Sequence, residues 1–245
     1  MEYVDVNRYA KDCFELLDLI ERQRFGVEYQ PIIDAHKGEV IGYEALARFY
    51  TQTGERVSPL DVFRTLHDSP LLLAQVELQL KRIQLRFRPA NSRLFLNLDP
   101  HAFSVLGPLA SGNAMMQMLS GHEDLVVEII ENTDVNDARM SNNLSRKMHE
   151  MGFSIALDDV GAPDSMLSLQ ILADVDFIKL DRCWLRTDSK DSNLLLRSLV
   201  NYAQLSGKKT VLEGVETAED LAHAVNLGVD YVQGFFYREL FIEES

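Results

Sequence analysis

Eight polar side chains stand where strand-length apolar runs end: Glu44, Asn97, Glu128, Asp158, Asp159, Lys179, Glu213 and Gln233. Five are carboxylates, and a barrel would bring them all to one rim. A set without imidazole or thiol offers only oxygen to a metal ion, which suits hard divalent cations, magnesium or manganese, rather than zinc. None of the six histidines (36, 67, 101, 122, 149, 223) falls at such an end, and neither a Gly-x-Ser-x-Gly elbow nor a Cys-x-x-Cys pair is present. Several carboxylates with one lysine resemble the needs of two-metal phosphodiester hydrolysis. There the metals hold the phosphate and activate a water, and the lysine places or polarises that water. Each residue alone has an ordinary reading. Glu44 could be a solvated edge carboxylate, Asn97 or Gln233 a turn residue, Glu128 with Glu131 a helix N-terminal charge, Lys179 a structural partner of Asp158, and Glu213 part of a cap. Eight such residues at successive strand ends are much harder to assign to solvated turns.

The elements that must position them centre on residues 153–181. Phe153–Leu157 and Val175–Leu180 are strand-length apolar runs, separated by a turn at Val160–Pro163 and a helical pattern, Met166, Leu167, Leu169, Ile171, Leu172. Strand, turn, helix, strand predicts a βαβ unit with parallel neighbours, and in such folds chemistry sits at the carboxyl ends of the strands. The adjacent Asp158 and Asp159 repel each other and ask for a cation or a shared proton. Upstream, 27–33 and 39–49 read as two strands joined by a short turn, an antiparallel hairpin. Helices are expected at 59–67, with Ser58 as N-cap, at 71–87, 134–151 and 189–206, and from Thr217, where Thr217-x-x-Asp220 reads as a capping box. Strands are expected at 93–99, 124–130, 209–214 and 229–234. About eight strands alternating with helices argue for an α/β fold of the (β/α)8-barrel type. The opening hairpin does not fit an all-parallel barrel. The alternative is an open doubly wound sheet, for which no Gly-x-Gly-x-x-Gly or P-loop speaks. Residues 1–24 read as a lead-in helix and 25–245 as the barrel domain.

The composition is that of a soluble globular protein, 46% apolar and 25% charged. A net charge of −14 disfavours binding of bulk nucleic acid through a basic surface, but not a small phosphate ligand held by metal ions. Cys13 and Cys183 fit no metal spacing, so a reducing cytoplasm is the expected setting. No apolar run reaches membrane-spanning length, and the opening MEYVDVNRYAKD does not read as a signal peptide.

Seven ordered segments carry a resemblance: YQPIIDAHKGEVIGYEALARF (29–49), LNLDP (96–100), VEIIEN (127–132), ALDDVG (156–161), IKLD (178–181), LEGVE (212–216) and YVQGFF (231–236). Over residues 25–240 the chain resembles the EAL domain family of cyclic di-GMP phosphodiesterases, Glu44-Ala45-Leu46 being the signature triplet. The resemblance implies a modified TIM barrel with an antiparallel first strand pair. It implies magnesium or manganese, two ions, on Glu44, Asn97, Glu128, Asp158 and Asp159, with Glu44 counted among the catalytic residues. Lys179 would contact the nucleophilic water, and Glu213 and Gln233 would complete the site. Gln30, Leu46 and Arg48 would line the nucleotide pocket, with Asp181 and Gln233 also on the substrate side. Arg48 has the right chemistry for a phosphate. Glu131 would steady the loop after the Asp pair.

That loop departs from the family pattern. DDVGAPDSM stands where DDFGTGYSS is usual, so Val160, Ala162, Pro163 and Asp164 replace Phe, Thr, Gly and Tyr. FYREL (236–240) stands where a Gly-Arg-Pro ending is common. A proline fixes φ where glycine is adjustable, and Asp164 adds charge near the Asp pair, so slower hydrolysis is expected. The sequence thus predicts a metal-dependent hydrolase opening cyclic di-GMP to linear pGpG, as a homodimer. The second reading is a catalytically weak cyclic di-GMP receptor signalling through a regulatory protein partner. The third, a pure interaction module, is disfavoured by the complete ligand set.

Overall fold

The computed structural model describes residues 16–106, 112–122, 124–130, 135–163, 166–187 and 189–244. Its elements are β1 (Phe25–Asp34), β2 (Val40–Tyr50), β3 (Arg56–Val57), α1 (Pro59–Leu66), α2 (Pro70–Arg86), β4 (Arg93–Asn97), α3 (Pro100–Val105), α4 (Ala114–Leu119), β5 (Leu125–Ile130) and α5 (Val135–Glu150). They continue with β6 (Ser154–Val160), α6 (Leu169–Asp174), β7 (Phe177–Leu180), a 3-10 turn at Arg182–Arg186, α7 (Lys190–Ser206), β8 (Lys209–Leu212), α8 (Ala218–Leu227), β9 (Tyr231–Val232), a 3-10 stretch at Phe235–Leu240 and β10 (Ile242–Glu244).

The strands close in the order β1-β9-β8-β7-β6-β5-β4-β2 and back to β1, an eight-stranded barrel, with β3 and β10 as outer additions to β2 and β1. Strands β2 and β4 to β9 run parallel, and β1 alone is antiparallel to both neighbours. The expected modified barrel is therefore present, and the open doubly wound sheet is excluded. The short 35–39 connection reverses the chain, so β2 must pair antiparallel with β1. Every later crossover carries a helix and returns the chain parallel.

Two hydrophobic layers hold the barrel. Inside, Ile32, Phe95, Val126, Ala156, Phe177 and Val211 form one cluster. Outside, residues that alternate with them, such as Leu96, Val127, Leu157 and Ile178, pack under the helices. Leu19 and Ile20, at the end of the expected lead-in helix, pack in a third cluster with Phe25, Phe49 and α2. Residues 1–15 of that expected helix lie outside the described residues.

Local signals act as read: the Ser58 side chain accepts from the Asp61 N–H, and Thr217 and Asp220 form a reciprocal capping box. One element differs. The helix expected to include Met166 and Leu167 starts only at Leu169, because the Ser168 side chain accepts from the Ile171 N–H and fixes the N-terminus there. Met166 and Leu167 precede it and are exposed. Apolar spacing alone could not see that stop. Among the described residues no helix is long and apolar enough to cross a membrane.

Candidate active site at the barrel mouth

Side chains of a strand alternate in and out, so two residues beyond each apolar barrel-filler comes another inward position. Phe95 is followed in this way by Asn97, Val126 by Glu128, Ala156 by Asp158, Phe177 by Lys179, Val211 by Glu213 and Tyr231 by Gln233. On β1, which runs the other way, the step is from Ile32 back to Gln30, and Gln30 pairs opposite Glu44 of β2. Glu213 and Gln233 lie just past their strands, yet the ladder continues, with Glu213 N–H to Leu180 O and Gln233 N–H to Leu212 O, both 3.0 Å.

Asp159 should point outward with Leu157. It does not, because β6 bulges against β7 between Leu157 and Val160 and Asp159 takes a left-handed backbone, φ +57°. For a non-glycine residue that conformation costs roughly 1–2 kcal/mol. Its effect is to turn two consecutive aspartates toward the same mouth.

Lys179 sits at the centre with no exposed surface. Its Nζ lies 2.8 Å from Glu128 Oε1, 2.8 Å from Asp158 Oδ1, 2.9 Å from Glu213 Oε1 and 3.3 Å from Glu44 Oε2. An ammonium has three N–H bonds and cannot serve four carboxylates. Glu128 Oε1 and Asp158 Oδ1 accordingly lack an aligned hydrogen bond despite their short ion-pair distances. Asn97 Nδ2 donates to Glu44 Oε1 at 2.8 Å and to Glu128 Oε2 at 3.1 Å, and Gln233 Nε2 donates to Glu44 Oε2 at 2.7 Å. These bonds and Lys179 hold Glu44 below the usual carboxylate range against its burial.

The remaining carboxylates go the other way. Burial first, then neighbouring carboxylates, push Glu128 well up and raise Asp158. Burial and Asp158 raise Asp159 to about 7, and burial, with Asp158 and Glu44, raises Glu213 to about 8. Four carboxylates keep Lys179 firmly protonated. Fully ionised, the cluster would carry more negative charge than its one cation balances, and the raised carboxyls hold protons instead.

The residues fit divalent metal ions. Carboxylate oxygens of Glu44, Glu128 and Asp158 lie within 4.8 Å of one another, as do those of Asp158, Asp159 and Glu213. The two triads share Asp158. Gln233 Oε1 is buried without a hydrogen-bond partner, a further oxygen donor in reserve. Asn97 adjoins both Glu44 and Glu128 and can offer Oδ1 by an amide flip.

A cleft of about 400 Å³ opens over these groups, lined by Gln30, Glu44, Leu46, Asp158, Asp159, Asp181, Glu213 and Gln233. It is also lined by Arg182, Glu216 and Phe235, which the sequence reading did not single out. Arg182 follows the IKLD segment directly and Phe235 follows Gln233-Gly234, so adjacency to those motifs was the available signal. Gly214 is glycine for a reason: at φ +68° a Cβ there would meet the Arg182 Cβ at 2.3 Å. A larger hollow of about 780 Å³ near Asp18, Arg24, Asp61 and Arg64 gathers no comparable chemistry, since those charges pair with each other.

Arg48 is the expected pocket residue that does not line the cleft. Its Nη2 donates to the buried Glu28 carboxylate at 2.6 Å, and Gln30 Nε2 donates to the same oxygen at 2.9 Å. Arg48, Gln30 and Arg56 hold Glu28 ionised below its usual range even though burial opposes it. Strand position brought Arg48 near the mouth, but a partner on β1, invisible in the local sequence, turned it aside. Glu131 lies outside the described residues, as do Asp164 and Ser165 of the divergent loop.

The EAL domain family profile matches residues 15–239. Among curated relatives, the probable cyclic di-GMP phosphodiesterase PdeN of Escherichia coli K12 is 25% identical over 231 residues, covering 91% of this chain and 44% of PdeN. The chain thus spans less than half the length of that relative. Among solved structures, the PaMucR phosphodiesterase in complex with c-di-GMP superposes with TM-score 0.72 at 25% identity, covering 92% of this chain and 95% of that one. The Bacillus subtilis YkuI protein, which has an EAL domain and is in complex with c-di-GMP and calcium, superposes with TM-score 0.74 at 23% identity, covering 91% and 56%.

Proposed function

The chain belongs to the EAL domain family, and from that membership we propose that it is a divalent-metal-dependent phosphodiesterase that opens cyclic di-GMP to linear pGpG. One observation carries the reading: two carboxylate triads sharing Asp158 surround a fully buried Lys179 at the floor of an open cleft. The binding of c-di-GMP by PaMucR, and of c-di-GMP with calcium by YkuI, supports it by similarity.

Bound magnesium or manganese, two ions, would supply the Lewis acidity that lowers a water's pKa and neutralises phosphate charge. The ligands proposed are Glu44, Asn97, Glu128, Asp158 and Asp159. The chain's own groups do the rest. Lys179 holds a fixed positive charge beside the attacking water and the phosphate oxygens, where charge develops. Glu213 orients Lys179 and faces the cleft, and Gln233 fixes Glu44. Gln30, Leu46 and Asp181 line the nucleotide's side. Arg48 reaches a phosphate by exchanging the Glu28 carboxylate for it. In the reaction, water oxygen bonds to phosphorus and the P–O3′ bond breaks. One water proton leaves to a basic group and the 3′ oxygen gains a proton, giving a 5′-phosphate and a free 3′ hydroxyl.

The divergent DDVGAPDSM loop favours a second reading, a weak-turnover receptor for the same nucleotide. The homodimer, a regulatory protein partner and a cytoplasmic setting belong to these proposals as well. Incubation of the pure protein with cyclic di-GMP and magnesium or manganese, followed by chromatography, tests both. Accumulating pGpG that EDTA abolishes is the expected result. Binding without pGpG replaces the enzyme by the receptor, and the absence of both binding and product sinks the two together.

A further inference from the structure

The left-handed Asp159 is the least comfortable residue of the mouth, set beside Asp158 and held in a conformation side chains avoid. Such a residue persists only where its surroundings over-determine it. Among the described residues, the 3-10 turn after β7 packs on this loop. The Trp184 indole Nε1 donates to the Val160 carbonyl at 2.7 Å, and the Asp181 N–H donates to the same carbonyl at 3.2 Å. Cys183 Sγ approaches the Gly161 carbonyl at 3.0 Å. Gly161, at φ +89°, lies so close to the indole that a Cβ on it would meet the Trp184 ring at 2.3–2.5 Å. A turn bond from Ala162 N–H to Asp159 O, 2.9 Å, closes the grip from the other side. Trp184 is only 8% exposed and is the one tryptophan of the chain.

We infer that Trp184 is a positioning residue for the Asp158–Asp159 pair, holding the bulge that turns Asp159 into the metal site through its hydrogen bond to Val160 O. The inference rests on the metal reading above and goes beyond it, since Trp184 is neither a ligand nor a cleft residue. Among the described residues, the two donors to the Val160 carbonyl, Trp184 Nε1 and Asp181 N–H, come from the segment after β7, so the turn that follows Lys179 also sets the geometry of the aspartates before it. Without the indole N–H the carbonyl keeps one donor, and the repelling pair can relax outward.

Trp184→Phe keeps an aromatic ring and deletes the N–H. Calorimetric titration with Mg²⁺ alone is expected to show dissociation constants for the variant raised roughly three- to tenfold, the scale of one net hydrogen bond. In an Asp159→Asn background the same substitution should have almost no further effect on Mg²⁺ affinity, which a merely structural tryptophan would not produce. Equal Mg²⁺ affinity in wild type and Trp184→Phe overturns the inference and leaves the metal reading standing. No Mg²⁺ binding by wild type overturns both. Should the variant not fold, emission of the single tryptophan in wild type decides. A change on adding Mg²⁺ that Asp159→Asn abolishes supports the coupling, and emission that ignores saturating Mg²⁺ refutes it.

Discussion

The barrel interior holds two adjoining layers with opposite chemistry. The lower one, Ile32, Phe95, Val126, Ala156, Phe177 and Val211, is apolar and buried. The upper one, two residues along the same strands, holds Asn97, Glu128, Asp158, Lys179 and Glu213. Strand geometry is the same in both, so what differs is what each layer needs. Apolar side chains need only volume and shape, and they close the barrel against itself. The upper layer is buried nearly as well, but charges removed from water must find compensation. Burial first, and then the crowding of Glu44, Glu128, Asp158, Asp159 and Glu213 around one lysine, push four of the five above their ordinary range. The lower layer is finished on folding, whereas the upper layer keeps an excess of carboxylates over its one lysine, which the proposed cations would balance.

Three substitutions or conditions would break or sharpen that contrast. The largest effect is expected below the mouth. Phe95→Ala should cost about 3–5 kcal/mol of stability in urea unfolding, as loss of a buried aromatic does, while Mg²⁺ affinity of the folded fraction stays within about twofold. A large loss of Mg²⁺ affinity would mean that the two layers are not separable. Next comes Lys179→Ala. Turnover of cyclic di-GMP should fall by roughly two orders of magnitude or more. The stability loss at pH 6 should stay below that of Phe95→Ala, because crowded carboxylates can take up protons in place of the ammonium. An equal or greater stability loss would make Lys179 a core residue first.

The smallest effect is the pH dependence. Asp159 at about 7 and Glu213 at about 8 stand above their ordinary 3.8 and 4.5 in the metal-free fold. A carboxyl raised on folding binds its proton more tightly in the native state, so its contribution is complete below the unfolded value and is lost as pH rises through the folded one. The metal-free protein should therefore lose stability from pH 6 to 9. Saturating Mg²⁺ should raise Tm by roughly 5 °C more at pH 8.5 than at pH 6, since metal displaces protons. A Tm of the metal-free protein that climbs over this range would contradict the assignment.

Much of this was legible in the chain itself. Strand-length runs ending in polar residues, alternation with helical patterns, the opening hairpin and the Thr217 capping box each follow from local chemistry. So does the gathering of Glu44, Asn97, Glu128, Asp158, Lys179, Glu213 and Gln233, once parallel strands with helical crossovers are granted. Period-two alternation puts those residues inward without any tertiary knowledge. What only the assembled structure decided depends on groups distant in sequence. Arg48 is turned aside by Glu28 across the β1–β2 pair. Asp159 joins Asp158 because β6 bulges against β7 and Asp159 takes a left-handed backbone, whereas alternation alone would have sent it outward. Lys179 meets four carboxylates from four different strands, and the resulting pKa shifts exist only where burial removes water from all of them at once. Local sequence fixes which way a side chain leaves its strand, whereas charge balance and bulge geometry are properties of neighbours, and neighbours are set by the closed barrel.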